Sequence, residues 1–531
     1  MQKFLPVGIQ DFKTMIEGNF LYIDKTGYIW EMVRPPQGFY FLARPRRFGK
    51  SLLVSALGYL FEGRRELFGN LEIDKADREW KAHPVIKTDF STINMTSPEK
   101  LEQSLLSHIH RLAEKHGIKN SIQSLPDCFA AFITRLAEKY NEPVVVLVDE
   151  YDKPLIDHLG KGEEHLSIAK ENRDILKQFF GVLKGGDVSA ALRFVFITGI
   201  SKFARVSIFS DLNNLNDISM QEKYDSVLGY TDEELLYYFD MNISELSAKL
   251  DLSREELVRK IRSRYNGYRF TNRESTVYNP FSVIKLFDSG EFGNYWFETA
   301  TPSFLINLIR EQEYPIADIE HLELSAEDFT VYEVDDLELE PLLFQTGYIT
   351  IRNYDGILYR LGYPNQEVKT SFLAYLYNHL IRSEDRRLRG IYKRLHTYLK
   401  EKKIGDFINA VKSILASIPY TQIANQGEDY YHTVFYLMLS ASGVSVHTEV
   451  LTSRGRTDIA VEFGDKVYVI ELKCNHSSEL AIRQILKKKY YEKYLGSGRK
   501  IYLMGINFDS HKRTADDWQW GELEEYLERE A

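Results

Sequence analysis

The chain has 531 residues, too many for one hydrophobic core, so about two to four domains are expected. Its 44 % hydrophobic and 27 % charged residues describe an ordinary globular protein, and the net charge of −10 excludes a surface that is basic throughout and coats nucleic acid. Two cysteines, Cys128 and Cys474, exclude a disulfide framework and a multi-cysteine zinc site, and with no leader pattern and no run of 18 apolar residues the expectation is a cytoplasmic chain without a membrane span.

Residues 1–235 alternate short apolar runs with helical patterns, which predicts a parallel α/β sheet. The predicted strands are Gly38–Ala43, Val85–Phe90, Val144–Val148 and Arg193–Ile197. The first leads through Arg44-Pro-Arg-Arg-Phe-Gly-Lys-Ser51 into an apolar helix marked by Leu52, Leu53, Ala56, Leu57 and Leu60. Strand, glycine-bearing loop and helix start are the setting of a phosphate-binding loop. Gly49 lets the backbone curl so that N–H groups face a phosphate. Lys50 reaches the β- and γ-phosphates, and the Ser51 hydroxyl ligates Mg²⁺. Arg46, Arg47 and Phe48 complete the expected ATP-binding set. The usual spacing begins with a glycine, which here is Arg44, followed by Pro45.

Val144-Val-Val-Leu-Val-Asp149-Glu150 is a run suited to a strand buried on both faces, ending in two acids where open α/β sheets bind ligands. Asp149 is the expected Mg²⁺ ligand, directly or through water, and Glu150 the group that polarises the attacking water. A buried strand with a solvated acidic turn is the bland alternative, and the Gly-Lys-Ser upstream disfavours it. The strand Arg193–Ile197 runs into Thr198-Gly199, which makes Thr198 a candidate γ-phosphate sensor. Lys202 and Arg205 are candidates for stabilising transition-state charge, with ordinary surface positions as the alternative.

These stretches resemble the bacterial AAA-ATPase-like family found fused to PD-(D/E)XK nuclease domains. Leu5-Pro-Val-Gly-Ile-Gln-Asp-Phe12, Tyr22-Ile-Asp-Lys-Thr26, Arg44–Ser51, Val148-Asp-Glu-Tyr-Asp-Lys-Pro154 and Thr198-Gly-Ile-Ser-Lys-Phe203 carry the resemblance over roughly residues 1–220. It implies nucleotide binding and makes the missing first glycine a family trait.

Residues from about 236 to 290 read as helical, introduced by the capped stretch Thr231-Asp-Glu-Glu234. Tyr265-Asn-Gly-Tyr-Arg-Phe270 and Val277-Tyr-Asn-Pro-Phe281 recur in the same family and suggest an ATPase lid or a winged-helix-like module. From chemistry alone they are turns bounded by aromatic packing. Residues 291–415 are mixed, and the basic stretch with Arg386, Arg387, Arg389, Lys393 and Arg394 reads as a solvated helix face.

Residues 416–531 read helix, three strands, helix, strand. Arg456–Phe463 and Lys466–Lys473 flank Gly464-Asp465, a two-residue turn that predicts a tight antiparallel hairpin. Phe463 then faces Lys466, and Asp458 faces Glu471, at Cβ separations of about 4.5–5.5 Å. Carboxylates that close repel unless a cation lies between them, and Mg²⁺ fits. Lys473 shares their face and is placed to orient or deprotonate a water that attacks a phosphodiester. A sheet face of mixed charge is the alternative. The pattern resembles the PD-(D/E)XK superfamily over roughly residues 420–510, with Asp458 as its acid and Glu471-Leu-Lys473 as its E-x-K. The resemblance adds Glu428 on the preceding helix, with His432 one turn on, and Gln484 on the following one. The lysines Lys487, Lys488 and Lys489 are candidates for sequence-blind phosphate contacts.

The expected architecture is α/β multidomain: an AAA-like P-loop ATPase domain (1–235), a helical lid and mixed, winged-helix-like middle (236–415) and a PD-(D/E)XK nuclease-like α/β domain (416–531). The expected function is ATP binding and hydrolysis joined to a Mg²⁺-dependent nuclease acting on nucleic acid. The alternative is a nucleotide-dependent switch whose C-terminal domain binds without cleaving. DNA versus RNA and assembly into a homo-oligomer stay open, and no membrane partner is expected.

Overall fold

The computed structural model describes residues 3–530 apart from 78, 203–207, 210, 211, 213, 301, 302, 313–315, 330–337, 381–387, 418–427, 453, 454 and 513. At some further positions, Asp458 and Glu428 among them, only the backbone is described. Arg205, Arg386 and Arg387 lie outside the described residues. The chain forms two compact units, residues 1–314 with 319–368, and residues 315–318 with 369–531.

In the first unit β1 (Gly38–Ala43), β2 (Val85–Asp89), β3 (Val144–Asp149), β4 (Leu192–Gly199) and β5 (Asn216–Asp217) form one sheet in the order β2-β3-β4-β1-β5, every neighbouring pair parallel. The four predicted strands stand within two residues of their expected ends. Every residue of β3 is buried, Asp149 included, as an apolar run covered on both faces requires. The two-residue β5 has no apolar pattern to announce it. Helix α1 (Lys50–Phe61) covers one face, where Gly58 lies over Leu147.

The capping box expected at Thr231 is formed: its hydroxyl accepts from Glu234 N, and the Glu234 carboxylate accepts from Thr231 N. Helices Asp232–Tyr238, Asp240–Leu250, Arg254–Tyr265 and Pro280–Ser289 follow. They bury Leu235, Phe239, Ile243, Leu257, Ile261 and Leu286 in a common core. A small antiparallel sheet of β6 (Glu323–Ser325), β7 (Thr350–Tyr354) and β8 (Leu358–Gly362) comes next, with β8 central.

The second unit holds a sheet of β9 (Ser445–Thr452), β10 (Gly455–Glu462), β11 (Lys466–Cys474), β12 (Lys500–Asp509) and β13 (Thr514–Glu522), in consecutive order. Only β11 and β12 run parallel, joined by helix α2 (Ser478–Lys488). Ala460, Val467, Val469 and Leu503 bury one sheet face against Ile482 and Ile485 of α2. The helix Leu523–Glu530 and β13 extend the expected layout; β13 is an edge strand whose sequence, Thr-Ala-Asp-Asp-Trp-Gln-Trp-Gly-Glu, lacks a core-strand pattern. Among the described residues no helix is long and apolar enough to cross a membrane.

Gly267, inside the Tyr265–Phe270 stretch, has φ +100°, and a Cβ there would stand 2.0 Å from the Pro364 carbonyl oxygen. Both obstacles are backbone and neither relaxes cheaply. Gly267→Ala is expected to cost about 3 kcal/mol or more; an unchanged thermal unfolding midpoint would contradict this packing.

Candidate nucleotide and nuclease sites

The loop Arg44–Ser51 leaves the C-terminal end of β1 and enters α1 through Gly49, whose φ is +94°. Arg47 also takes a positive φ, +66°. Lys50 is buried, and its ammonium donates to the carbonyl oxygens of Arg44 (2.9 Å) and Pro45 (3.0 Å). Burial pushes its pKa down, and Asp149, Asp152 and Glu150 push back. Ser51 and Lys50 both act on the Asp149 carboxylate, each lowering its pKa. Burial raises the pKa of both Asp149 and Glu150, and each acid is raised further by neighbouring carboxylates. Glu150 has φ +53°, a costly conformation for a side chain of this kind, of the sort that collects at functional sites.

The basic and aromatic residues of the loop divide their tasks. Arg44 is 1 % exposed. Its guanidinium donates to the carbonyls of Ala43 (3.0 Å), Ser219 (2.6 Å) and Tyr224 (3.2 Å) and lies 4.2 Å from the Phe270 ring centroid. Burial lowers its pKa to about 9, opposed by Asp217 and Asp225, so it stays charged at neutral pH. Phe48 is buried against Tyr268 and Phe270 at 4.9 and 5.6 Å between centroids. Phe48 is thus an anchor for the loop, and the Tyr265–Phe270 stretch is its socket. Arg46 accepts at its carbonyl from the buried Trp296 Nε1 (3.0 Å), and exposed Arg47 reaches over Phe281.

Thr198 is buried and donates to Leu42 O at 2.6 Å, bridging β4 to β1. Lys202 pairs with Asp217 at 3.1 Å. Among the described residues neither lines the cleft above the loop. Asp152, unremarked in the sequence, is buried and accepts from Ile200 N, Ser201 N and Ser201 Oγ at 2.7–2.9 Å, tying the end of β3 to that of β4.

The cleft encloses about 560 Å³. Its polar lining includes Arg46, Arg47, Lys50, Ser51, Glu150, Lys153 and Ser91; its apolar lining includes Ile9, Leu21, Ile23, Leu228 and Phe281, of which Leu228 and Phe281 adjoin the loop at Gly49 and Arg47. The two N-terminal stretches quoted above therefore wall the space next to the phosphate loop. Lys25 lines it too, bound to Glu234 (2.7 Å) and Ser226 O (2.8 Å).

In the second unit the hairpin pairs Ile459 with Ile470 through Glu462 with Val467, and Phe463 N donates to Lys466 O at 2.8 Å. That is the register read from Gly464-Asp465. Asp458 belongs to β10, but its side chain lies outside the described residues, as does that of Glu428. Glu471 is fully buried, and its Oε1 receives the Lys473 ammonium (3.2 Å) and the Gln484 amide nitrogen. The sheet and α2 thus unite three predicted residues. Gly505, opposite Glu471 on β12, permits this: a Cβ there would stand 2.5 Å from Ser478 O. A glycine inside a strand was the available signal for close helix approach. Ser478 is pinned by Asp517, its N and Oγ donating at 2.9 and 2.5 Å, which fixes where α2 starts. Lys487 and Lys488 are exposed on α2, and Lys489 closes it in a left-handed conformation.

A five-stranded parallel sheet with a glycine-bearing loop at one strand end and an acid at another gives the first unit an ATPase-like layout, and the second unit carries an E-x-K arrangement on a mixed sheet. Residues 6–209 match the family described as Predicted AAA-ATPase, and residues 426–518 match the PD-(D/E)XK nuclease superfamily. The chain belongs to the AAA-ATPase-like family that carries a C-terminal PD-(D/E)XK domain. A relative from Azotobacter chroococcum mcd 1, described as an uncharacterized protein in the vnfD 5' region, is 36 % identical over 528 residues, covering 97 % of this chain and 98 % of its own.

Arg44→Gly recreates the glycine usual at the head of a phosphate loop. Here it is expected to lower stability by roughly 3 kcal/mol, because it strands buried carbonyls and opens a cavity beside Phe270. A urea midpoint equal to that of the parent would show that Arg44 does not hold the loop.

Proposed function

We propose that the chain binds ATP with Mg²⁺ in the cleft over Arg44–Ser51 and hydrolyses it slowly, and that its C-terminal unit cuts nucleic acid with Mg²⁺. The observation that carries the reading is that Lys50 and Ser51, at the start of α1, line one cleft with Glu150 from the end of β3, where Lys50 and Ser51 both act on the Asp149 carboxylate. Mg²⁺ takes one or two protein ligands and fills its octahedron with waters and phosphate oxygens. A hydroxyl and a carboxylate side by side suit that need. When bound, the ion neutralises phosphate charge. Lys50 exchanges its loop carbonyls for phosphate oxygens, and the backbone N–H groups around Gly49 and the start of α1 face the anion. Glu150, whose pKa is raised by burial and by Asp149, is suited to accept a proton from the attacking water. The apolar lining of the cleft suits a base and ribose.

For the C-terminal unit, a fully buried carboxylate beside a lysine and an amide supports a metal-assisted hydrolysis. Glu471 with Asp458 would hold Mg²⁺, Lys473 would orient the water, and Gln484 would fix the Glu471 carboxylate. The substrate is a phosphodiester backbone of DNA or RNA, and Lys487–Lys489 supply a basic approach to it.

The deciding experiment measures ATP turnover and cleavage of single- and double-stranded DNA and RNA by the parent, Lys50→Ala, Glu471→Ala, Lys473→Ala and Asp458→Ala. The parent is expected to show weak ATPase activity that Lys50→Ala abolishes and Glu471→Ala leaves intact. Cleavage is expected to need Mg²⁺, to stop with EDTA, and to fall at least about 100-fold in each C-terminal variant. A parent that binds no nucleotide ends the first half of the reading; C-terminal variants that cut as well as the parent end the second.

A further inference from the structure

β2 and β3 are in parallel register, and their last residues, Asp89 and Asp149, are partners. Paired residues on adjacent strands present their side chains to the same face. Which face is settled two residues earlier. Leu147 Cδ1 stands 3.6 Å from the position of a Cβ on Gly58 of α1, and the Lys87 side chain lies against the same glycine. Lys87 Nζ also pairs with Glu62, at the end of α1, at 3.2 Å. Alternation by two carries Asp89 and Asp149 onto the α1 side, where Ser51 meets Asp149. Asp89, an exposed residue, therefore stands on the strand beyond Asp149, on the same face and two residues from Ser91, which lines the cleft. Its charge also reaches both neighbours: it raises the pKa of Asp149 and of Glu150.

Asp89 has a local task, since its Oδ1 accepts from Ser91 N at 2.8 Å and caps the short turn Phe90–Thr92. Ser91 in turn lines the cleft. Asn or Ser caps such a turn as well as Asp does. A capping role alone therefore gives no reason for a third negative charge at a place already holding Asp149 and Glu150, where it adds repulsion. A divalent cation supplies the reason. Among the described residues no three acidic, histidine or cysteine side chains stand close enough to grip a metal directly. Asp89 thus acts at one remove, through water. Mg²⁺ holds several waters, and these need acceptors.

We propose that Asp89 is a positioning residue of the ATP site, accepting a hydrogen bond from a water of the Mg²⁺ held by Ser51 and Asp149. This rests on the ATP reading above and extends it by a residue on a different strand. Such outer partners typically govern metal affinity by about 10–100-fold.

The test is nucleotide binding rather than turnover. A fluorescent ATP analogue is titrated onto the full chain in EDTA and again across a Mg²⁺ series, for the parent, Asp89→Asn, Asp89→Ala and Lys50→Ala. Asp89→Asn keeps the cap and removes the charge. Because it also relieves repulsion, it is expected to leave affinity in EDTA and the melting midpoint no lower than the parent's, and to require about tenfold more Mg²⁺ for half-maximal tightening. Asp89→Ala should show the same Mg²⁺ shift together with a lowered midpoint. An Asp89→Asn protein with the parent's Mg²⁺ dependence overturns the proposal, as does a shift confined to Asp89→Ala, which would mark Asp89 as a cap only. Parent and Lys50→Ala proteins that bind the analogue equally would defeat the ATP reading itself, a result distinguishable from either of these.

Discussion

The phosphate loop is shaped from beneath, by a guanidinium buried under its own backbone. Arg44 spends its donors on the carbonyls of Ala43, Ser219 and Tyr224 and rests on the Phe270 ring. A cation with so little exposure is tolerable only where most of its donors are bonded, as both terminal nitrogens are here and Nε is not, and its charge is answered, here by Asp217 and Asp225 nearby. In an ordinary phosphate loop the leading glycine serves a tight turn. In this one, Arg44 ties β1 to the 219–224 segment, and Phe48 drives a second anchor into Tyr268 and Phe270. The loop is thus anchored by side chains at Arg44 and at Phe48.

That arrangement explains where the remaining charges lie. Lys50 bonds back to Arg44 O and Pro45 O, so on the proposed reading a triphosphate would meet a lysine already oriented across the loop. Asp149 is buried behind Ser51, and Asp152 is consumed in fixing Ser201, so of the acids at the end of β3 it is Glu150 that opens onto the cleft. Gly199 is needed for the same reason: a Cβ there would stand 2.5 Å from Asp152 Oδ1. The Asp-Glu-Tyr-Asp run is a division of labour in which neighbouring acids differ by what surrounds them rather than by their type.

Much of this was legible in the sequence. Apolar runs ended by acids or glycines located β1 to β4, because a strand covered on both faces has little choice but to be apolar. The Gly464-Asp465 turn fixed the hairpin register, because a two-residue turn leaves no freedom to slip. What escaped had physical causes. Strands β5 and β13 are short or polar and are recruited by a neighbour's edge, not by their own pattern. Arg44 stood out only as a departure from the usual leading glycine, because a sequence shows charge but not direction, and its side chain points into the protein. The link between Phe48 and the Tyr265–Phe270 stretch joins residues more than 200 positions apart, beyond the reach of any local periodicity.

The two candidate sites use one device in two settings. Each buries a carboxylate near a strand end and sets a lysine close by: Asp149 with Lys50, Glu471 with Lys473. The pairs differ in how the lysine is occupied. Lys50 is held by backbone carbonyls, neutral acceptors that a phosphate, being charged, can displace without exposing a buried anion. Lys473 is bonded to Glu471 itself, at 3.2 Å, so releasing it leaves a fully buried carboxylate short of a cation, a state that costs several kcal/mol in a low dielectric. On the proposed reading, a divalent ion bound at Glu471 would remove that obstacle by supplying the positive charge the lysine gives up, so that Lys473 would turn to a water only with the metal in place, whereas Lys50 would be freed by the phosphate itself.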